Sequence, residues 1–449
     1  MRLSCLLPLW FLVGCIDDVV AQPDDDATVG SADSGAADVS GGGDEPDSGP
    51  PVPFDVAQGE DLPPPEDAAS GPGDAAVDPV DTTPTPLEPL KEAVPAPGDG
   101  PNPTNASLFA PGFTKLALDF EPADWAALEE NLASGSKDYV PATFTYDGES
   151  LPSAVRLKSN PEDWEGAKPQ FVVKFNEYDK AARFRGLRRL VLEANPSDAT
   201  HCRNTVALGF MRDTGVMTPR STHAKLTIDG APFGVYELIE AVDNEFLEDR
   251  FAEDGGNLYE NGEELKTNES VGDTSDLDAL YEALQAGNAA AVDDLVVVGS
   301  FLDLAAAEAA LGLGDNFWAG GWNFYLYHEP VAGWVILPWD LDDFLIDETP
   351  TDADVLTAEG IVVPGNEPHP MMELIRSVPN WRAHFLARVA QRLPALEALD
   401  DAVTACCQEV RSAVLADPNA GVDAETFDDA CATLKARAAA RAQSVAASL

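Results

Sequence analysis

The sequence has little positive charge. Its 449 residues include 27 Lys and Arg against 79 Asp and Glu, which gives a formal net charge of −52 at pH 7. A chain with this balance repels the nucleic-acid backbone and anionic lipid headgroups. The composition therefore argues against a nucleic-acid partner, and any phosphate-bearing ligand needs cations placed close to it.

The sequence also lacks the short motifs of several common enzyme classes. It contains no G-x-S-x-G, no H-E-x-x-H, no P-loop, no G-x-G-x-x-G and no CxxC. Hydrolase, zinc-protease and nucleotide-fold interpretations therefore find no support. The five histidines are scattered, so a metal site made from His201, His369 and His384 ranks below ordinary core or surface histidines.

The N-terminus, "MRLSCLLPLWFLVGC", has one Arg and an apolar run shorter than the ~20 residues that span a bilayer. This pattern predicts an export signal over residues 1–14. "LVGC" resembles the bacterial lipobox, which implies lipidation of Cys15; the alternative is a plain signal peptide that happens to contain cysteine. The lipobox interpretation predicts an exported protein, lipid-anchored in the bacterial cell envelope at the outer membrane or cell surface.

Residues 15–105 are predicted to form a disordered spacer that begins at the lipidated cysteine. Between residues 16 and 100 there are 21 Asp and Glu, one Lys and a single aromatic residue. Such a segment buries too little apolar surface to offset the entropy of ordering. A calcium-binding surface function for its Asp runs ranks last, because no complete calcium-loop motif is present.

Residues 110–449 carry the patterns of a folded domain with a helical C-terminal extension. Sheet signals dominate its first part and helix signals its second, which predicts an α+β fold. The predicted elements are a strand over 113–120, a helix over 121–135, hairpins turning at Asp147-Gly148 and Asp229-Gly230, a helix ending at Gly215, and a strand pair over 322–341 within the helical part.

Four cysteines lie in the folded part, where export permits disulfides. Either Cys406 or Cys407 is predicted to pair with Cys431 and to link two C-terminal helices. Cys202 is interpreted as a small buried hydrophobe.

Polar side chains flank the strand pair over 322–341. Asp315 precedes it, Asn323 lies at its start, and Asp340 lies at its end, 25 residues after Asp315. A hairpin brings its entry and exit loops to the same end, so these three side chains are expected to converge. Their hard oxygen atoms suit Mg²⁺ or Mn²⁺. A solvated loop remains the alternative, because Asp residues are common at strand ends.

Eight stretches between Leu116 and Leu393 resemble the CotH spore-coat kinase family. They are "RLKSN", "KPQFVVKFNEYD", "FRGLRRLVLEANPSDATHCRNTVALGFMRDTGV", "GVYELIEAVDNEFLEDRF", "GNLYE", "GDNFWAGGWNFYLY", "WVILPWDLD" and "PHPMMELIRSVPNWRAHFL". The resemblance implies an atypical protein-kinase-like two-lobed fold with a sheet-rich N-lobe and a mainly helical C-lobe.

The resemblance also implies roles for the acidic residues. Asp315 would be the catalytic residue that accepts the proton of the acceptor hydroxyl. Asn323 and Asp340 would bind the divalent ions, and Asp342 is a second ligand from the same loop.

Four cations are the counterparts expected to face the ATP phosphates. Lys168 and Lys174 lie in or beside the strand where the family's phosphate-facing lysine is expected. Arg156 and Lys158 lie at a turn that resembles a phosphate-covering loop, although Ser159 stands where the family commonly has glycine.

Two functions follow from the resemblance. The first is an ATP- and metal-dependent kinase that acts on protein hydroxyls. The second is a weak or inactive pseudokinase that serves as a surface adhesion or assembly module, consistent with Trp322-Asn323 where the family commonly has Asn-Asn. The partner is accordingly a protein substrate or a surface ligand, and the protein is expected to be monomeric.

Overall fold

The computed structural model describes residues 86–91, 93–158, 168–347, 349–359, 361 and 366–449. Cys15, Ser159 and most of the predicted spacer lie outside these residues. No helix in the described ranges combines the length and the apolar character needed to cross a membrane.

Backbone pairing begins within the last residues that composition assigns to the spacer, 15–105. The amide of Gly98 donates to the carbonyl of Arg250 at 2.9 Å, and that of Gly100 donates to the carbonyl of Asp249 at 2.7 Å. Leu90 also packs against the hydrophobic core, so backbone hydrogen bonds and apolar contact together hold this stretch against the domain.

A closed barrel forms the first half of the domain. Its strand order is β1-β2-β3-β4-β5-β7-β6, and all neighbours are antiparallel except β1 and β6, which close the barrel in parallel. Inward-facing apolar side chains fill it. The strands are β1 Phe113–Asp119, β2 Val140–Tyr146, β3 Glu149–Leu157, β4 Phe171–Lys174, β5 Arg189–Glu193, β6 Ser221–Ile228 and β7 Ala231–Glu240.

Two tight turns in the barrel confirm the predicted hairpins. Asp147 and Gly148 join β2 to β3 with φ of 52° and 76°, and Asp229 and Gly230 join β6 to β7 with φ of 49° and 76°. A turn with two consecutive left-handed residues has a twist that matches the right-handed twist of the paired strands. Asp-Gly adopts this backbone conformation at low energetic cost.

A second sheet of four strands, in the order β11-β10-β8-β9, lies within the helical part. Its strands are β8 Asn257–Glu260, β9 Glu264–Leu265, β10 Phe324–Glu329 and β11 Gly333–Pro338. The β10 and β11 pair was predicted. The other two strands were not, because four and two residues are too short to show a period.

The helices complete a mixed α+β domain, in agreement with the predicted class. They are a 3-10 helix over Pro103–Phe109, α1 Pro122–Ser134, α2 Arg203–Asp213, α3 Asn244–Arg250, α4 Ser275–Gln285, α5 Ala289–Leu295, α6 Val298–Leu311, α7 Pro370–Ser377, α8 Pro379–Glu397, α9 Leu399–Val414 and α10 Ala424–Ser448.

Two disulfides among the described residues fix the C-terminal helices. Cys407 pairs with Cys431 and joins α9 to α10, as one of the two predicted alternatives required. Cys406 pairs with Cys202 at the start of α2. The interpretation of Cys202 as an unpaired hydrophobe is therefore wrong. Its partner is 204 residues away, so no local pattern could reveal it.

Helix α10 also holds the segment that follows Asp343. The Arg437 guanidinium donates to the carbonyls of Leu345, Ile346 and Thr349. One turn later, the fully buried Arg441 donates to carbonyls at the end of α6 and to those of Thr351 and Ala353. The C-terminal helix therefore fixes the backbone on one side of the acidic loop.

Candidate active site

The β10–β11 hairpin brings its two ends together. The strands pair in register from Phe324 with Pro338 to Glu329 with Gly333. One residue beyond, the amide of Trp339 donates to the carbonyl of Asn323 at 3.1 Å. The loops on either side of the hairpin therefore meet at one edge of the sheet, which is the geometry expected for Asp315, Asn323 and Asp340.

Asp315 lies in the turn that follows α6, and two amides hold its carboxylate. Asn323 Nδ2 donates to Asp315 Oδ2 at 3.2 Å, and Asn366 Nδ2 donates to Oδ1 at 2.6 Å. Only 8% of the residue is exposed. Both carboxylate oxygens therefore have fixed directions.

Asn316 connects the Asp315 loop to the Asp340 loop. Its side chain is fully buried, and Nδ2 donates to the carbonyls of Trp339 and Asp340 at 3.1 Å each. Asn323 and Asp340 both adopt left-handed backbone conformations, with φ of 57° and 45°. Asn and Asp tolerate this region better than most side chains, so the loop favours these residue types at both places.

Asp343 holds the backbone of the catalytic candidate. Its Oδ2 accepts from the amides of Gly314 and Asp315 at 2.9 Å each. The half-buried Asp342 is its neighbour, and the Asp342 charge raises the pKa of both Asp315 and Asp343. Asp342, one of the three residues predicted to bind metal, therefore lies close enough for its charge to act on both carboxyls.

Burial makes these carboxyls less acidic than usual. It raises the pKa of Asp315 to about 6, against the lowering effect of the Asn366 and Asn323 amides. Burial and the Asp315 charge raise the pKa of Asp343 to about 7. Crowded, desolvated carboxylates of this kind favour either protonation or a nearby cation.

Two buried oxygens near the acidic loop have no hydrogen-bond donor among the described residues. Asp343 Oδ1 and Asn316 Oδ1 are buried oxygens with no hydrogen-bond partner in the described part of the chain. No three His, Cys, Asp or Glu side chains of that part converge on one point. Mg²⁺ commonly binds through one or two carboxylates and completes its shell with phosphate oxygens and water. The predicted ligands Asp340, Asp342 and Asn323 carry oxygen donors of this type, whereas the two unpartnered oxygens belong to Asp343 and Asn316.

Lys158 is the cation that faces the acidic loop. Its Nζ lies 3.4 Å from Asp340 Oδ2, forms a closer ion pair with Glu193, and lies 5.9 Å from the centre of the Trp339 ring. Its side chain is 4% exposed. The structure places Lys158, one of the four predicted cations, directly against Asp340.

Arg156 and Lys174 share a different partner, Tyr139. Arg156 Nε donates to the Tyr139 hydroxyl at 3.2 Å, and Lys174 Nζ lies 5.2 Å from the centre of the same ring. Lys174 also forms an ion pair with Glu177 at 2.9 Å. Arg156 is 4% exposed and has no carboxylate within ion-pair distance among the described residues.

Lys168 is bound elsewhere. Its ammonium contacts Asp417 Oδ2 at 2.8 Å and the carbonyl of Val235, and it lies 4.5 Å from the centre of the Tyr236 ring. Burial lowers its pKa. These contacts tie the start of β4 to the connection between α9 and α10, and they do not bring Lys168 to the acidic loop.

Glu237 is a buried carboxyl beneath the site. Asn204 Nδ2, on α2, donates to Glu237 Oε2 at 3.2 Å. Asn204 Oδ1 accepts from the amide of Leu341, beside Asp340, at 3.0 Å. Burial raises the pKa of Glu237 to about 8, despite the Asn204 hydrogen bond that lowers it.

A carboxyl with a raised pKa binds its proton more tightly in the folded protein than in the unfolded chain. The contribution of Glu237 to the free energy of unfolding should therefore fall as pH rises from about 4.5 through about 8. Glu237→Gln removes this titration and should reduce the fall by roughly 2–4 kcal/mol. Urea unfolding at pH 5 and pH 8.5 measures the difference. Glu282→Gln, at an exposed position on α4, is the control. If the free energy of unfolding has the same pH dependence in Glu237→Gln and in the wild type, the pKa of Glu237 is not raised by folding.

Several residues of the site were not found from the sequence. Each of them reaches the site through a contact between loops or strands that are separate in the sequence. Their residue types are also common outside functional sites, so neither spacing nor composition indicates a role in the site. Asp343 alone had a signal, because it adjoins Asp342. These residues are Tyr139, Glu193, Asn204, Glu237, Asn316, Asp343 and Asn366.

Comparison with known proteins confirms the resemblance noted from the residues. A family model described as CotH kinase protein matches residues 164–445. Inner spore coat protein H of Bacillus subtilis (strain 168) is 25% identical over 277 residues, which cover 55% of this chain and 74% of that protein. The matched region includes Asp315, Asn323 and Asp340, whereas Arg156 and Lys158 precede it.

Proposed function

Because this chain belongs to the CotH kinase protein family, we propose that it is a surface-anchored kinase that transfers the γ-phosphate of ATP to protein hydroxyls with a divalent metal. The observation that carries the proposal is Arg156, a buried cation on β3 without a carboxylate partner in the described residues. It lies two residues before Lys158, which contacts Asp340.

A buried charge without a counter-ion is unfavourable. Four of the six buried cations in the described residues have a carboxylate partner, as Lys158 does with Glu193 and Lys168 with Asp417, whereas Arg441 binds only backbone carbonyls. Arg156 instead has two neutral acceptors, the Tyr139 hydroxyl and the carbonyl of Leu157. Guanidinium groups bind phosphate oxygens well, so an anionic ligand would supply the missing charge.

A buried hydrogen-bond donor without an acceptor among the described residues lies beside the acidic loop. The indole Nε1 of Trp339 is buried and has no hydrogen-bond acceptor in the part of the chain that the structure describes. Trp339 precedes Asp340, and its ring faces Lys158. A ligand with oxygen or nitrogen acceptors would satisfy this donor, as a nucleotide does.

The segment that carries the acidic loop requires cations from elsewhere to hold a triphosphate. Residues 267–375 contain 21 Asp and Glu and no Lys or Arg. Phosphate bound at the Asp340 loop would therefore be repelled unless a divalent ion and the β3–β4 cations offset its charge. This balance supports a metal-dependent site with Arg156, Lys158 and Lys174 on its cationic side.

In the proposed reaction Asp315 accepts the proton of the acceptor hydroxyl. Its pKa of about 6 suits a base that works near neutral pH. The Asn323 and Asn366 amides orient its carboxylate, and Asp343 fixes its backbone. Asp340, Asp342 and Asn323 would hold Mg²⁺ or Mn²⁺, which would offset the charge of the phosphate groups.

One observation favours the second candidate, an inactive adhesion or assembly module. Asp340 is already ion-paired with Lys158, and Asn323 donates its amide to Asp315. Two of the three proposed metal ligands therefore have protein partners. If these contacts persist in the presence of ATP, the fold serves binding without phosphate transfer.

The similarity to a protein named for the spore coat supports an envelope or surface location. We infer that the chain is exported and held at the membrane through the Cys15 lipid and the acidic spacer. Its partner is then a protein substrate or a surface ligand outside the cytoplasm.

Purified protein incubated with γ-labelled ATP, Mg²⁺ and model acceptor proteins tests the kinase proposal. Phosphate incorporation on Ser or Thr that disappears in EDTA is expected. If the protein transfers no phosphate to any acceptor or to itself, the kinase proposal is overturned.

A further inference from the structure

We propose that Tyr139 is the positioning residue of the phosphate-binding cations, a role that rests on the proposed kinase function. It holds Arg156 and Lys174 at the face of the barrel without neutralising Arg156. Tyr139 precedes β2 and carries no signal in the sequence.

Strand register places these three residues together. Val140 pairs with Val155, so Tyr139 lies opposite Arg156, one residue along. Ala154 pairs with Lys174 on the other side of β3. Alternation along the strands puts Val155 into the barrel core, so Arg156 and Lys174 share the outer face.

The Tyr139 side chain contacts both cations. Its hydroxyl accepts from Arg156 Nε at 3.2 Å, and its ring centre lies 5.6 Å from Arg156 Cζ and 5.2 Å from Lys174 Nζ. Both ring distances fall within the range of cation–π attraction. One aromatic residue therefore restricts two long, flexible side chains.

An aromatic partner differs from a carboxylate in what it leaves for a ligand. A carboxylate would neutralise Arg156 and repel an incoming phosphate. A phenol ring and hydroxyl orient the guanidinium and leave its positive charge in place. In a chain with 79 acidic residues, such a partner preserves a cation for an anion from outside the protein.

Tyr139 has little part in the barrel core. It is half-buried, and it is not among the side chains that pack against the core cluster. Tyr146, at the other end of β2, does pack against that cluster, and its ring centre lies 4.8 Å from Arg185 Cζ. Tyr146 is therefore a matched control: the same residue type on the same strand with its own arginine.

The test measures binding of Mg·ATP, magnesium tripolyphosphate and adenosine to the full chain. Tyr139→Leu should raise the Kd for Mg·ATP and tripolyphosphate about tenfold, and Tyr139→Phe, which keeps the ring, about threefold. Adenosine binding should not change. In the transfer assay KM for ATP should rise while kcat stays within about twofold. Tyr146→Leu should lower the melting temperature and leave the Kd for Mg·ATP unchanged.

The outcomes separate this inference from the proposed function. If the wild-type protein binds both phosphate probes and Tyr139→Leu binds them equally well, the inference alone is overturned. It is also overturned if Tyr139→Leu weakens adenosine and ATP by the same factor, because that result indicates a general structural role. If the wild type binds neither phosphate probe, the proposed function fails together with the inference.

Discussion

Asp315→Asn is expected to reduce phosphate transfer by about 10²–10⁴-fold and to leave Mg·ATP binding within about twofold of the wild type. The amide oxygen cannot accept the hydroxyl proton in the transition state. The substitution keeps the size of the side chain, and the Asp343 contacts to the Gly314 and Asp315 amides do not involve the replaced group. Phosphate incorporation and calorimetric ATP binding measure the two effects.

The control for this substitution is Asp278→Asn on α4, an exposed aspartate outside the site. It should keep full transfer and full binding. If Asp315→Asn transfers phosphate at the wild-type rate, Asp315 is not catalytic. If it instead loses nucleotide binding and stability together, Asp315 has a structural role.

Asp340→Asn should lose both functions. The carboxylate is proposed to hold the divalent ion, and it is also the partner of Lys158 at 3.4 Å. The substitution should raise the Kd for Mg·ATP by at least about tenfold and reduce transfer in proportion. Titration of ATP at several Mg²⁺ concentrations should show that the metal dependence, rather than only the affinity, has weakened.

Asp342→Asn is the comparison in the same loop. Asp342 is half-buried and has the role of a second ligand, so its replacement should weaken binding less than Asp340→Asn. Equal metal dependence in Asp340→Asn and the wild type would remove Asp340 from the metal site.

Local signals predicted the local parts of the fold. Asp147-Gly148 and Asp229-Gly230 specified hairpins because their turn conformation depends on those two residues alone. The closure of the barrel through parallel pairing of β1 with β6 has no such signal. It joins strands about 110 residues apart, and their patterns fit many partners.

The candidate site follows the same division. The convergence of Asp315 and Asn323 followed from one hairpin. The position of Lys168 did not, because its partner Asp417 is 249 residues away. The ion pair between Glu193 and Lys158 was not predictable either, because the folding of the barrel brings β5 close to the end of β3. Sequence therefore indicates which residue types the chemistry needs, whereas the fold decides which lysine faces the carboxylates.

Calorimetric titration of ATP into the purified wild-type protein, in Mg²⁺ and then in EDTA, tests the metal-dependent nucleotide site most directly. Measurable binding is expected in Mg²⁺, and weak or no binding is expected in EDTA. The reason is that a divalent ion must offset the repulsion between the triphosphate and the acidic loop at Asp340. Equal binding in both buffers would contradict the metal-bridged site.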